Sequence, residues 1–178
     1  MLKRIFISIE LPEIVKRKIK IIQDKIPLFI GKKTEIENLH LTLKFLGEID
    51  EEKIEIIKKK LSEVEFGKIN LEIEELGVFS ESFVKIIWIH LGGCEELQKK
   101  IDDSLEGIFE KEKRFMSHIT IARLKNVRDK KEFLEKLRKI KFGRINLVVD
   151  SFYLMESILK SKGPEYNIIK CFKSKEEI

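Results

Sequence analysis

Two of the three histidines in the chain stand in the same local pattern, a histidine followed two residues later by a threonine. His40 is followed by Thr42, and His118 is followed by Thr120. On a β-strand, residues two apart point to the same face, so each pair presents an imidazole and a hydroxyl side by side. If the two strands face each other, we expect the four side chains to converge on one cleft.

Two imidazoles in one cleft can perform acid–base chemistry near neutral pH, because one can act as a neutral base while the other is protonated as an acid. The pair suits displacement at phosphorus: one histidine takes a proton from the attacking hydroxyl, and the other protonates the leaving oxygen. The hydroxyls of Thr42 and Thr120 can donate to the non-bridging oxygens, where charge develops. Neither strand adds a nearby Asp, Glu or Cys ligand, so we expect no metal and no cofactor.

A single histidine and threonine at this spacing is common on structural strands. The second copy, at the equivalent place of the other half of the chain, favours a functional reading. His90 provides the internal comparison, because it ends an apolar strand and has neither Thr nor Ser two residues later. We interpret His90 as a structural or surface histidine.

Hydrophobic periodicity predicts strands near residues 5–9, 38–46, 69–76, 83–91, 117–123, 145–156 and 166–172, and helices near residues 12–26, 51–64, 95–109 and 129–140. The order of elements repeats. Residues 66–71 (FGKINL) match residues 142–147 (FGRINL), and His40 matches His118. The duplication predicts an α+β fold of two pseudo-symmetric lobes, each an antiparallel sheet with helices outside, around a central cleft. We expect residues 1–178 to form a single bilobal domain.

The composition is that of a globular protein, with 38% charged and 43% hydrophobic residues and a formal net charge of +5. The heavy use of Lys, Glu and Ile is typical of proteins from thermophiles. The two cysteines, Cys94 and Cys171, are too few for a thiolate metal site or a disulfide framework. No apolar run is long enough to cross a membrane, and we expect a cytoplasmic monomer that does not bind membranes.

Two segments resemble the signature motifs of the 2H phosphoesterases. They are residues 38–47 (NLHLTLKFLG) and residues 118–123 (HITIAR). The likeness extends to residues 4–12, 76–79 and 162–166, and it is strongest to the 2′-5′ RNA ligase and RNA 2′,3′-cyclic phosphodiesterase family. One departure is Ser117, because the family commonly has proline before the second histidine.

The resemblance implies RNA processing without a metal. The reaction would be hydrolysis of an RNA terminal 2′,3′-cyclic phosphate to a 2′-phosphate, with 2′-5′ RNA ligation at the same site. His40 would be the proton donor and His118 the proton acceptor. The expected partner is RNA with a 2′,3′-cyclic phosphate end, tRNA fragments included.

The resemblance also implies substrate contacts by Arg123 and by the aromatic residues Phe45 and Phe6, with Tyr166 as a weaker candidate. Phe45 and Arg123 each follow a motif histidine by five residues. Strict alternation would turn such residues to the opposite face of the strand and would place Lys44 on the face of His40 and Thr42. The assignment therefore requires that each strand bends or ends.

Two other functions remain open at this point. The first is a phosphoesterase that acts on a small cyclic nucleotide, because the motifs indicate phosphorus chemistry and carry no information on chain length. The second is a non-catalytic RNA-binding module that has kept the fold. Relative rates on mononucleotide and oligonucleotide substrates would separate the first from an RNA enzyme, and binding without turnover would identify the second.

Overall fold

The computed structural model describes residues 1–161 and 163–175, so that Lys162 of the quoted 162–166 segment lies outside the described residues. The elements in chain order are β1 (Lys3–Glu10), α1 (Glu13–Asp24), β2 (Ile30–Lys33), β3 (His40–Ile49), α2 (Glu51–Leu61), β4 (Ile69–Val78), β5 (Ile86–Gly92), α3 (Glu95–Ser104), β6 (His118–Asn126), α4 (Lys130–Arg138), β7 (Ile145–Val149), β8 (Ser151–Lys160) and β9 (Gly163–Lys173). A single 3₁₀ turn, Ile36–Asn38, precedes β3. None of the helices in these described ranges is long and apolar enough to cross a membrane.

The strands form two sheets in which every pairing is antiparallel. The first sheet has the order β3-β1-β8-β9, and the second has the order β2-β6-β5-β4-β7. Apolar side chains from both sheets and all four helices form one buried cluster. The predicted α+β fold with two antiparallel sheets is confirmed.

The repeat suggested that each half of the sequence would form one sheet. In the structure, each sheet contains strands from both halves. β4, from the first half, pairs with β5 and β7 in the second sheet. β8, from the second half, pairs with β1 in the first sheet. The chain changes sheets between Val149 and Ser151, so the single strand expected at residues 145–156 is two strands. Neither half of the sequence could build its sheet alone.

β2 was not predicted from the sequence, since its four residues, IGKK, contain no alternating apolar pattern. Gly31 makes the strand possible. A Cβ atom at this position would lie 2.3 Å from the carbonyl oxygen of Arg123 on β6, so only glycine allows the two backbones to approach this closely. β2 therefore extends the second sheet beyond β6, the strand that begins with His118.

Helix starts follow local signals that the sequence contains. The side chain of Asp50 accepts a hydrogen bond of 2.8 Å from the backbone N–H of Lys53 and caps the start of α2. Asp129 does the same for α4 through the N–H of Glu132. Both caps satisfy a backbone donor that would otherwise have no partner within the helix.

Each strand that carries a motif has a β-bulge directly after the threonine, and β3 has a second register shift at Leu46. On β3, Thr42 pairs with Ser8 of β1 and Lys44 pairs with Ile7, which leaves Leu43 without a partner. On β6, Ile121 is unpaired in the same way, because its neighbours pair with successive residues of β5. The bulge inverts the alternation beyond it, so Phe45 and Arg123 return to the face of the histidines.

The bulge carbonyl on β6 is held from α1 and from the segment after β2. The side-chain amide of Gln23 donates to the carbonyl oxygens of Ile121, at 2.7 Å, and Thr34, at 2.8 Å. The backbone N–H of Thr34 donates to the same Ile121 oxygen at 2.9 Å. Gln23 is buried, and its amide hydrogen bonds hold the bulge in place.

The bulge on β3 places Lys44 inside the protein, which corrects the expectation that it shares a face with His40 and Thr42. Its ammonium lies 2.5 Å from the Asp102 carboxylate on α3 and donates to the Glu110 carbonyl oxygen at 2.7 Å. The other oxygen of Asp102 accepts from the Gln98 side chain and from the N–H of Glu112. Both charged side chains are less than a tenth exposed.

We expect Lys44→Met to lower the free energy of unfolding by about 3 kcal/mol, because the Asp102 carboxylate would stay buried without its cation. The matched control is Lys100→Met, which removes an exposed ion pair with Glu96 on the same helix as Asp102 and should cost less than about 1 kcal/mol. Urea unfolding of the three proteins measures both. Equal losses in the two variants would contradict a structural role for the buried pair.

Candidate active site

β3 and β6 lie beside each other, and their cleft faces border one cavity of about 720 Å³. The structure places the seven site residues expected from the sequence on its lining: Phe6, His40, Thr42, Phe45, His118, Thr120 and Arg123. The weaker candidate Tyr166 also lines it, from β9. The two histidine–threonine pairs therefore meet in one space.

Both imidazoles are oriented by a backbone carbonyl two residues earlier in the chain. Nδ1 of His40 lies 2.8 Å from the Asn38 oxygen, and Nδ1 of His118 lies 2.8 Å from the Met116 oxygen. Because a carbonyl only accepts, each Nδ1 carries the hydrogen, and the Nε2 atom of each neutral ring has a free lone pair. Nε2 is therefore the atom that can take up or release a proton.

Nε2 of His40 lies 3.1 Å from the Thr42 hydroxyl oxygen. While the ring is neutral, the hydroxyl donates to it. Once Nε2 is protonated it becomes a donor itself, and the Thr42 hydroxyl proton is then free for another acceptor. Protonation of His40 and presentation of the threonine hydroxyl are thus linked.

Burial lowers the pKa of both site histidines, because it disfavours the charged imidazolium. It lowers the pKa of His40 to about 4, against the hydrogen bond to the Asn38 carbonyl, and the nearby charges of Lys16 and Arg123 add to the effect. It also lowers the pKa of His118, with a smaller contribution from Arg123. At neutral pH and without a ligand, both rings are neutral.

Aromatic rings surround the two imidazoles unequally. His40 lies 5.1 Å from the centre of the Phe6 ring and 5.0 Å from that of Tyr166, which it meets edge to face. The Phe45 ring lies 6.2 Å from Phe6. His118 contacts Phe79, at 5.0 Å and an angle of 89° between the rings. Phe79 is outside the cavity lining, so the aromatic part of the cavity is on the side of His40.

The charge of the lining is mostly positive. Four of the residues that border the cavity are cationic, and one is a carboxylate; they are Arg4, Lys32, Lys33, Arg123 and Glu35. Glu35 pairs with Lys32 at 2.5 Å, and Lys33 pairs with Asp24 at 3.3 Å. A cavity with this balance favours an anionic ligand, and a guanidinium is suited to the oxygens of a phosphate.

His90 lies on β5 opposite His118, but it does not line the cavity. Its Nδ1 is 2.7 Å from the Glu74 carboxylate. Ser117, at the position where the related motif has proline, is buried and accepts a hydrogen bond of 3.0 Å from the Cys94 thiol. Burial raises the pKa of that thiol to about 11, so Cys94 is a neutral donor that helps to hold the start of β6.

Three contacts of the histidines were not predicted from the sequence. The Asn38 and Met116 contacts are made by backbone carbonyls, which every residue type carries, so the sequence holds no signal for them. Phe79 follows the end of β4 and approaches His118 only through the pairing of β4, β5 and β6. Among residues 1–161 and 163–175, no three His, Cys, Asp or Glu side chains are grouped so that they could hold a metal ion.

Known proteins resemble this chain over nearly its whole length. An RNA 2′,3′-cyclic phosphodiesterase of Methanocaldococcus jannaschii is 35% identical over 175 residues, which cover 94% of this chain and 98% of the relative. A protein of the same name from Archaeoglobus fulgidus is 33% identical over 178 residues, which cover 95% and 99%.

Solved structures share the fold. Escherichia coli LigT complexed with 3′-AMP superimposes with a TM-score of 0.80 at 21% identity, over 99% of this chain and 100% of the other. TT0787 of Thermus thermophilus gives 0.78 at 25% identity, over 96% and 97%. The family model of LigT-like phosphoesterases matches residues 9–88 and 92–166, which contain both motifs. These matches and the shared fold confirm the resemblance seen in the sequence: the chain belongs to the LigT-like phosphoesterases, within the 2H phosphoesterases.

Proposed function

We propose that this protein is a hydrolase that converts the 2′,3′-cyclic phosphate at the end of an RNA into a 2′-phosphate, using two histidines and no metal. The observation that carries the proposal is the pair of imidazoles on one cavity, each fixed through Nδ1 by a carbonyl and each followed by a threonine on the same face. The names of the archaeal relatives support the substrate, and the cationic lining supports an anionic ligand.

In the proposed reaction, Nε2 of His118 takes a proton from water as the water oxygen bonds to phosphorus. The bond from phosphorus to the 3′-oxygen breaks in line with this attack, and His40 gives its Nε2 proton to the leaving 3′-oxygen. The phosphate remains on the 2′-oxygen. Thr42, Thr120 and Arg123 stabilise the charge on the non-bridging oxygens.

The unequal aromatic lining supports this division of roles. In an in-line displacement, the leaving 3′-oxygen and its nucleoside lie on the opposite side of phosphorus from the water. Phe6, Phe45 and Tyr166 all belong to the first sheet, beside His40. A nucleoside that stacks there brings its 3′-oxygen towards His40 and leaves the side of His118 to the water.

The negative charge of the substrate would favour the protonated form of His40 that the reaction needs. A neutral His40 cannot act as the acid, and its pKa of about 4 keeps it neutral in the free protein. The negative charge of a bound cyclic phosphate favours the imidazolium and raises that pKa. Protonation then frees the Thr42 hydroxyl, which lies 3.1 Å from Nε2, to donate to the phosphate.

An RNA end with a free 5′-hydroxyl in place of the water would give a 2′-5′ linkage through the same groups. Hydrolysis and ligation would then compete for one site, and the outcome would depend on how firmly the second RNA end is held.

We expect His40→Ala and His118→Ala each to lower kcat by roughly 10²–10⁴-fold on an oligoribonucleotide with a 2′,3′-cyclic phosphate end, because each removes a general acid or base. His90→Ala is the matched control and should retain activity close to that of the unmodified protein. Steady-state rates on the three variants test this. Full activity in either motif variant would overturn the proposal.

The lowered pKa values predict where the reaction is fastest. kcat/KM reports the free protein, and the reaction needs one proton on the histidine pair. Since the pKa of His118 lies below its usual 6.5 and that of His40 near 4, both rings are neutral above pH 6.5. We therefore expect kcat/KM to fall about tenfold per pH unit above pH 6.5. Values that stay constant or rise from pH 7 to 8 would contradict the assigned direction of these shifts.

A further inference from the structure

Arg4 borders the cavity from the start of β1. On β1, Ser8 pairs with Thr42, and Arg4 lies four residues earlier, about 13 Å along the strand. Phe6 lies between the two, and its ring contacts both Phe45 and Tyr166. The order along the cleft is thus the catalytic residues, then an aromatic surface, then the exposed guanidinium of Arg4.

Arg4 has no acidic partner in the described part of the chain. The cationic residues of β2 are engaged, Lys32 with Glu35 and Lys33 with Asp24. Glu48 is opposite Arg4 in the register of β1 and β3, yet the two side chains form no ion pair. Among residues 1–161 and 163–175, Arg123 likewise makes no ion pair, and its position near both imidazoles assigns it to the reacting phosphate. Arg4 lies beyond Phe6 on β1, four residues before Ser8, the partner of Thr42.

A nucleoside has two ends, and the cavity offers a group for each. With the 2′,3′-cyclic phosphate between the histidines and the base on the aromatic surface, the 5′-oxygen of the same ribose can point towards Arg4. In an RNA, that oxygen carries the phosphodiester that joins the preceding nucleotide. A guanidinium donates two parallel hydrogen bonds to such a group.

We propose that Arg4 binds the phosphate attached to the 5′-oxygen of the terminal nucleoside and thereby makes the protein select RNA ends over nucleoside 2′,3′-cyclic phosphates. The inference rests on the proposed function and names the chemical class of substrate that the site prefers. Arg4 is then a specificity residue, because it contacts substrate away from the reacting atoms.

The test compares three substrates: adenosine 2′,3′-cyclic phosphate, the same compound with a 5′-phosphate, and an adenosine dinucleotide that ends in a 2′,3′-cyclic phosphate. We expect the unmodified protein to show a kcat/KM at least about tenfold higher for the latter two. Arg4→Gln should reduce this preference to within about twofold. Arg17→Gln, which removes an exposed arginine outside the cavity lining, is the control and should keep the preference.

A preference that is absent in the unmodified protein, or that survives in Arg4→Gln, overturns the inference. A preference for the dinucleotide alone, equal in both proteins, also overturns it, since the second base would then be the cause. If none of the compounds is hydrolysed, the proposed function fails, and binding decides the role of Arg4. Calorimetry should then show adenosine 2′,5′-bisphosphate binding at least about tenfold more tightly than adenosine 2′-phosphate, with that difference lost in Arg4→Gln.

Discussion

The cleft depends on one backbone constraint that occurs twice, the extra residue at Leu43 in β3 and at Ile121 in β6. With strict alternation, Phe45 and Arg123 would turn into the protein and Lys44 would enter the cleft. The bulge reverses this, so two successive residues on each strand point inwards. The cost is a buried cation on β3, which Asp102 compensates. On β6 the same inward position is occupied by Ala122, which carries no charge. There the polar group that needs buried partners is the carbonyl oxygen of Ile121.

The electrostatics of the cavity favour an anion. Desolvation keeps both imidazoles neutral, although the proposed acid catalysis requires one of them to be charged. Arg4 and Arg123 line the cavity and have no carboxylate partner among residues 1–161 and 163–175. A bound RNA end would relieve both conditions, because its cyclic phosphate would favour the imidazolium and pair with Arg123, and the phosphate on its 5′-oxygen would pair with Arg4. Catalytic competence would thus arise with substrate binding.

The residues predicted for the site line one cavity, whereas the backbone arrangement that brings them together was not predicted. Repeated residue types and spacing made it possible to identify His40, Thr42, His118 and Thr120. The period-two alternation around them predicted their strands. Strand exchange between the halves leaves no local signal, since either partner strand satisfies the same apolar alternation. The sequence contains no signal for the bulges either, because Leu43 and Ile121 are apolar residues that fit a regular strand as well as an irregular one. The likeness to a known family supplied Phe45 and Arg123, where alternation alone would have rejected both.

The central claim is that two histidines without a metal open a cyclic phosphate towards the 2′-phosphate. The most direct measurement is to incubate the purified protein, in excess EDTA, with an oligoribonucleotide ending in a 2′,3′-cyclic phosphate and to identify the product isomer. The account predicts complete conversion to the 2′-phosphate at a rate that the chelator does not change. Loss of activity in EDTA would contradict the metal-free mechanism, and a 3′-phosphate product would contradict the assigned direction of attack.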